Sequence, residues 1–109
     1  MSRSWLVQRP QARRDILDIV DHVSDRNPAA AAELFAAYEE LLDRLRSYPQ
    51  LGRRYAPRHP SPALQNVRVV PVGRFTDYLV FTRYDGATVE VIRVMHGARD
   101  TLTLLEQTF

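Results

Sequence analysis

His96 stands directly before Gly97-Ala98-Arg99-Asp100, and Arg83 and Arg93 precede it on the same stretch of chain. An imidazole titrates near neutral pH and can give or take a proton there. A guanidinium fork binds two oxygens of a phosphate or a carboxylate at once. A histidine among arginines therefore offers acid–base chemistry next to anion binding, and Arg68 adds a further cation from an earlier segment. All fifteen basic residues are arginine, a bias that a genome rich in G and C also produces. Without lysine there is no Walker-type phosphate loop and no Schiff base. Without cysteine there is no disulfide, thiolate zinc site or cysteine nucleophile. His22, His59 and His96 are too far apart to show a metal-binding spacing, so no cofactor is expected.

A hairpin must position these groups. Residues 78–84 and 87–96 alternate as strands around Asp85-Gly86, a pair suited to a two-residue type I′ turn. That turn sets Tyr84 opposite Ala87, Thr82 opposite Val89, Val80 opposite Val91 and Tyr78 opposite Arg93 on one face. The other face carries Leu79, Phe81, Ile92, Val94 and His96, with Arg83 and Glu90 near the turn. This second face reads as the core face. Val80, Val89 and Val91 make the first face apolar too, so both can be covered. In this register the Arg93 guanidinium can stack on Tyr78.

Ahead of the hairpin, Trp5-Leu6-Val7 predicts a strand over residues 3–8, and Pro10 fits the first turn of a helix. Ala12, Ile16, Ile19, Val20 and Val23 recur at helical steps as far as Asp25. Asn27-Pro28 then caps and opens a second helix, with Leu34, Tyr38, Leu41, Leu45 and Tyr48 on its apolar stripe. The short join makes these helices an antiparallel hairpin. Residues 49–65 form a proline-rich connection carrying Arg53, Arg54, Arg58 and His59, where loops of this length are often functional. Residues 66–72 predict a strand, with Val67 and Val69 on one face and Arg68, Val70 and Val72 on the other. Asp100 can cap a short helix over residues 101–107. The expected fold is α+β: an N-terminal strand, an antiparallel helical hairpin packed on an antiparallel β-sheet, and a short C-terminal helix, all in one domain over 1–109.

At 109 residues the core is modest, and a partner covering further apolar surface suits such a chain. The net charge of +2 hides a basic second half, the side where an anionic partner would bind. No apolar run approaches the ~18 residues of a membrane span and no signal peptide opens the chain, so a soluble cytoplasmic protein is expected.

The order and spacing of these segments resemble the ParE/RelE superfamily of type II toxins. The likeness runs through Asp15-Ile16-Leu17-Asp18-Ile19, Asn27-Pro28, Tyr48-Pro49-Gln50-Leu51-Gly52-Arg53, Asn66-Val67-Arg68-Val69, Tyr78-Leu79-Val80-Phe81 and Ile92-Arg93-Val94-Met95-His96-Gly97-Ala98-Arg99-Asp100. The resemblance implies a toxin of plasmid-stabilisation type, held inactive by a cognate antitoxin in a hetero-oligomer. ParE-like members poison DNA gyrase; RelE-like members cleave messenger RNA on the ribosome. On the ParE-like reading Arg68, Tyr78, Arg93 and Arg99 meet the antitoxin or the target, and no residue is catalytic. On the RelE-like alternative His96 works with Arg68 and Arg83 as an endoribonuclease. The second cation position of that branch reads Val70 here, no arginine begins the Tyr78 strand, and Thr103 stands where a tyrosine is used. His96 also has a purely structural use, ending its strand and bonding the turn into the last helix.

Overall fold

Prolines open both long helices. In this computed structural model, which describes residues 3–55 and 62–109, Arg9 is extended and Pro10 begins α1 (Pro10–Ser24). Asn27 ends the two-helix turn, its Oδ1 accepting the Ala30 N–H at 3.1 Å, and Pro28 begins α2 (Pro28–Ser47). The strands are β1 (Trp5–Gln8), β2 (Arg53–Arg54), β3 (Val67–Val72), β4 (Phe75–Tyr84) and β5 (Thr88–His96). A 3-10 turn spans Pro62–Leu64, and α3 (Thr101–Thr108) is the last described element. Arg58 and His59 lie outside the described residues.

Among the described residues the sheet has the order β1-β5-β4-β3-β2. The expected antiparallel ladder links β2 through β5, while β1 lies parallel to β5, pairing Leu6 with Val89 and Gln8 with Val91. Such a sheet can be covered on both faces, and it is. On one face Ala12 and Ile16 of α1 and Leu34, Tyr38, Leu41 and Leu45 of α2 pack on Val70, Val72, Val80, Val89, Val91 and Val94. On the other, Leu105 of α3 and Leu64 pack on Val67, Val69, Phe81, Ile92 and Met95. Burying a side chain of this size contributes about 1.5–3 kcal/mol.

The hairpin register departs from the expected one for two reasons. The Asp85 Oδ1 accepts the N–H groups of Ala87 and Thr88 at 2.8 and 2.7 Å, holding an open turn that pairs Tyr84 with Val89 rather than Ala87. A bulge then inserts Ile92, so Thr82 faces Val91 but Phe81 faces Arg93. Beyond it the faces exchange: Val94 turns to the helical hairpin, and Tyr78 sits opposite His96 instead of Arg93. The helical hairpin thus covers the face of Val80, Val89 and Val91, and the face read as core lies under α3. Tyr48, expected on the apolar stripe of α2, falls just past the helix end and is 64% exposed.

The chain returns from α2 to the sheet through Gly52, whose φ is +93°. A Cβ there would lie 2.5 Å from the Val69 carbonyl oxygen and 2.9 Å from the Val70 Cβ. Gly52→Ala is therefore expected to cost about 1–3 kcal/mol through backbone strain, read from the midpoint of urea unfolding, with β2 amides losing hydrogen-exchange protection. A midpoint like wild type would mean that the approach is not tight.

Two exposed aspartates hold turns and give the fold an acid limit. The Thr88 and Ala87 N–H groups lower the Asp85 pKa below 3.8, and the Thr103 hydroxyl and N–H do the same for Asp100 at the start of α3. Their stabilisation is complete above the unfolded pKa and is lost as pH falls through the lower folded values. Urea midpoints should fall on acidification below about pH 4, less steeply in Asp85→Asn. An unchanged acid slope in that variant would remove Asp85 from the account.

Candidate functional site

The sequence-predicted cations fall in separate places. Arg93 is nine-tenths buried, its Nε donating to the Asp15 Oδ2 at 2.7 Å and its Nη2 to the Oδ1 at 3.1 Å. Its Nη1 reaches the Thr108 hydroxyl of α3 at 3.2 Å. Asp15 also accepts the Val94 N–H at 3.0 Å and the Gln11 side-chain amide at 3.0 Å. β1 pairs with β5 only as far as Val91, so this carboxylate takes over the open edge of β5 where β1 has ended. The bulge is what aims Arg93 at it. Asp15 is not among the sequence-predicted site residues, although its place between Ala12, Ile16 and Ile19 on a buried helical face is a signal: a carboxylate there needs a partner.

Arg83 points to the α3 face. Its guanidinium lies 4.5 Å from the Phe109 ring centroid, 3.7 Å from a Glu90 oxygen, and donates to the Ala63 carbonyl at 3.3 Å. Arg9 stacks on the same ring at 4.8 Å and donates to Glu90 at 3.1 and 3.3 Å. Phe109 thus carries two guanidiniums against its ring.

His96 does what its structural use requires. Its Nδ1 accepts the Ala98 N–H at 3.0 Å, which assigns the proton of the neutral ring to Nε2. Its carbonyl accepts the Arg99 N–H at 3.1 Å, and its ring meets Tyr78 edge-on at 5.2 Å. Arg99 itself is exposed.

Arg68 lies across the sheet, opposite Thr82, whereas His96 is opposite Tyr78. Those positions are four residue steps apart, about 13 Å along β4. Arg83 projects to the other face of the sheet from Arg68. The fold therefore does not gather His96, Arg68 and Arg83 around one reacting phosphate, which general acid–base work at hydrogen-bond distance would require. Among the described residues no group of three histidines, cysteines or carboxylates could hold a metal ion, and no helix is long and apolar enough to cross a membrane.

What Arg68 does join is a cleft of about 370 Å³ lined by Gln50, Arg54, Asn66, Arg68 and Tyr84. Arg54 is its direct cross-strand partner between β2 and β3. Asn66 enters β3 with a φ of +66°, a left-handed conformation that asparagine tolerates. A second hollow shares Asn66 and Tyr84 and is lined further by Val7, Arg83, Asp85, Thr88 and Glu90.

Over residues 6–101 the chain matches the sequence model of a family described as ParE toxin of type II toxin–antitoxin system, parDE. It is 31% identical over 87 residues to Toxin RelE1 of Caulobacter vibrioides, spanning 80% of this chain and 86% of that protein. The fold superposes with TM-score 0.68 on a chain of the chromosomal ParDE TA system from P. aeruginosa, covering 86% of this chain and 96% of that one. At 19% identity the second likeness concerns fold alone.

Proposed function

Since the chain belongs to the ParE toxin family of type II toxin–antitoxin systems, we propose that it arrests growth by binding DNA gyrase, with no chemical step of its own. A cognate antitoxin neutralises it by covering the groove between helices and sheet. The observation that carries this reading is the dispersal of His96, Arg68 and Arg83 over two faces and two ends of the sheet, which favours recognition over catalysis. Arg68 and Arg99, with no carboxylate partner among the described residues, are suited to antitoxin carboxylates. Tyr78 offers a half-buried ring beside His96, and Arg93 supports the surface from behind through Asp15. The toxin acts in the cytoplasm, where gyrase and the antitoxin meet it, as one domain over 1–109.

Excess purified toxin is expected to block supercoiling of relaxed plasmid by gyrase, with activity restored by the antitoxin. Normal supercoiling at saturating toxin would sink the proposal. The relative named Toxin RelE1 motivates a second reading, ribosome-dependent message cleavage using His96 with Arg68 and Arg83. That reading requires site-specific cleavage on induction, abolished by His96→Ala; intact transcripts in growth-arrested cells count against it.

A further inference from the structure

We infer that the β2 edge of the sheet is a nucleotide site, with a phosphate between Arg54 and Arg68 and the base against Tyr48. Residues directly opposite on antiparallel strands project to the same face, so Arg54 and Arg68 leave the sheet on one side as cross-strand neighbours, and both line the same cleft. Like charges so placed repel, and an anion between them reverses the sign of that interaction. No carboxylate does this already. Among the described residues neither arginine belongs to an ion pair, and Arg68 makes only a long 3.4 Å bond to the Gly52 carbonyl. The carboxylates of the adjoining hollow are engaged elsewhere, Glu90 by Arg9 and Arg83 and Asp85 by its own turn. The Gln50 and Asn66 amides complete a lining that contains donors and no acid.

The choice of a nucleotide over a bare anion rests on Tyr48. Tyr48 as a residue is 64% exposed, and its ring makes no ring contact among the described residues. It lines a hollow of about 420 Å³ with Ser47, Pro49, Gln50 and Leu51, and Gln50 also lines the arginine cleft. Paired cations adjoining an exposed aromatic face are the arrangement that holds a phosphate and stacks its base. The cleft volume falls within the size range of small-molecule sites. The phosphate can come from a free nucleotide or from a nucleic acid strand. Arg68 is shared with the antitoxin contact proposed above, so this site belongs to the free toxin; gyrase inhibition does not depend on it, and failure here would leave that proposal intact.

The test is calorimetric titration of the antitoxin-free toxin with AMP, adenosine, inorganic phosphate and a short oligothymidylate. AMP is expected to bind more tightly than adenosine or phosphate, and the exposed Arg54→Gln change, alone or with Arg68→Gln, to weaken it at least about tenfold. Tyr48→Ala should weaken AMP by about tenfold, the worth of one stacking contact, and leave inorganic phosphate unaffected. Circular dichroism melting checks that each variant is folded. If the oligonucleotide binds more tightly than AMP, the source is a strand; if less tightly, a free nucleotide. The inference is overturned if wild type shows no saturable AMP binding, if Arg54→Gln/Arg68→Gln binds AMP as wild type does, or if Tyr48→Ala weakens phosphate as much as AMP.

Discussion

Asp15→Ala is expected to remove about 3–5 kcal/mol of folding stability, because it breaks a buried ion pair from one side. The Arg93 guanidinium would stay about nine-tenths buried with only the Thr108 hydroxyl as partner, and the Val94 N–H would lose its acceptor. Against a typical total of about 5–15 kcal/mol, such a loss leaves little reserve. Urea unfolding should show the midpoint drop with an unchanged slope. The pair itself need not be a net stabiliser, since removing two charges from water costs much of what their attraction returns. Asp15→Leu combined with Arg93→Met should therefore lie closer to wild type than Asp15→Ala does. A single-variant loss below about 1 kcal/mol, the range of surface pairs, would show that water reaches the pair.

The second large effect is expected at Phe81, where alanine should cost about 3–5 kcal/mol. Phe81 is fully buried, meets Tyr55 edge-on with ring centroids 5.4 Å apart, and packs with Ile92, Met95 and Leu105 beneath α3. Tyr55 is itself tied to α3 by a 3.1 Å hydrogen bond between its hydroxyl and that of Thr101. A cavity at Phe81 thus takes support from α3 on two counts. Alongside the midpoint shift, the amides of Leu104 and Leu105 should exchange faster, while those of α2 keep their protection relative to the new global stability. A cost near 1 kcal/mol would mean that α3 is a thin cover over an otherwise sufficient core.

Local chemistry made much of this fold legible. Pro10, Asn27-Pro28 and Asp100 mark helix starts because capping is decided within one turn of chain, and the structure begins its helices there. The alternation of Val67, Arg68, Val69 and Val70 likewise sorts to the two faces as expected. The hairpin register was not legible, because Asp-Gly suits more than one turn and the Asp85 carboxylate chooses the open one through bonds to Ala87 and Thr88. The bulge at Ile92 goes with the contact between Arg93 and Asp15, a partner on a distant helix that no window around the hairpin contains. The scattering of His96, Arg68 and Arg83 depends on those same long-range facts. Arg54 was visible as a loop cation, but its pairing with Arg68 required the short β2 to dock.

The parallel pairing of β1 with β5 has a consequence for when this toxin comes into being. β1 precedes the other described strands in the chain, and its only ladder among the described residues is with β5, the last of them. Contacts between the two ends of a chain form late and slow the overall folding step. During synthesis the helical hairpin can form early, but Arg9, Asp15 and Gln8 wait for a strand still to be translated. The buried Asp15–Arg93 pair and the β1 ladder are therefore completed only once β5 has been translated, so a fragment ending before β5 leaves a buried carboxylate on α1 without its partner.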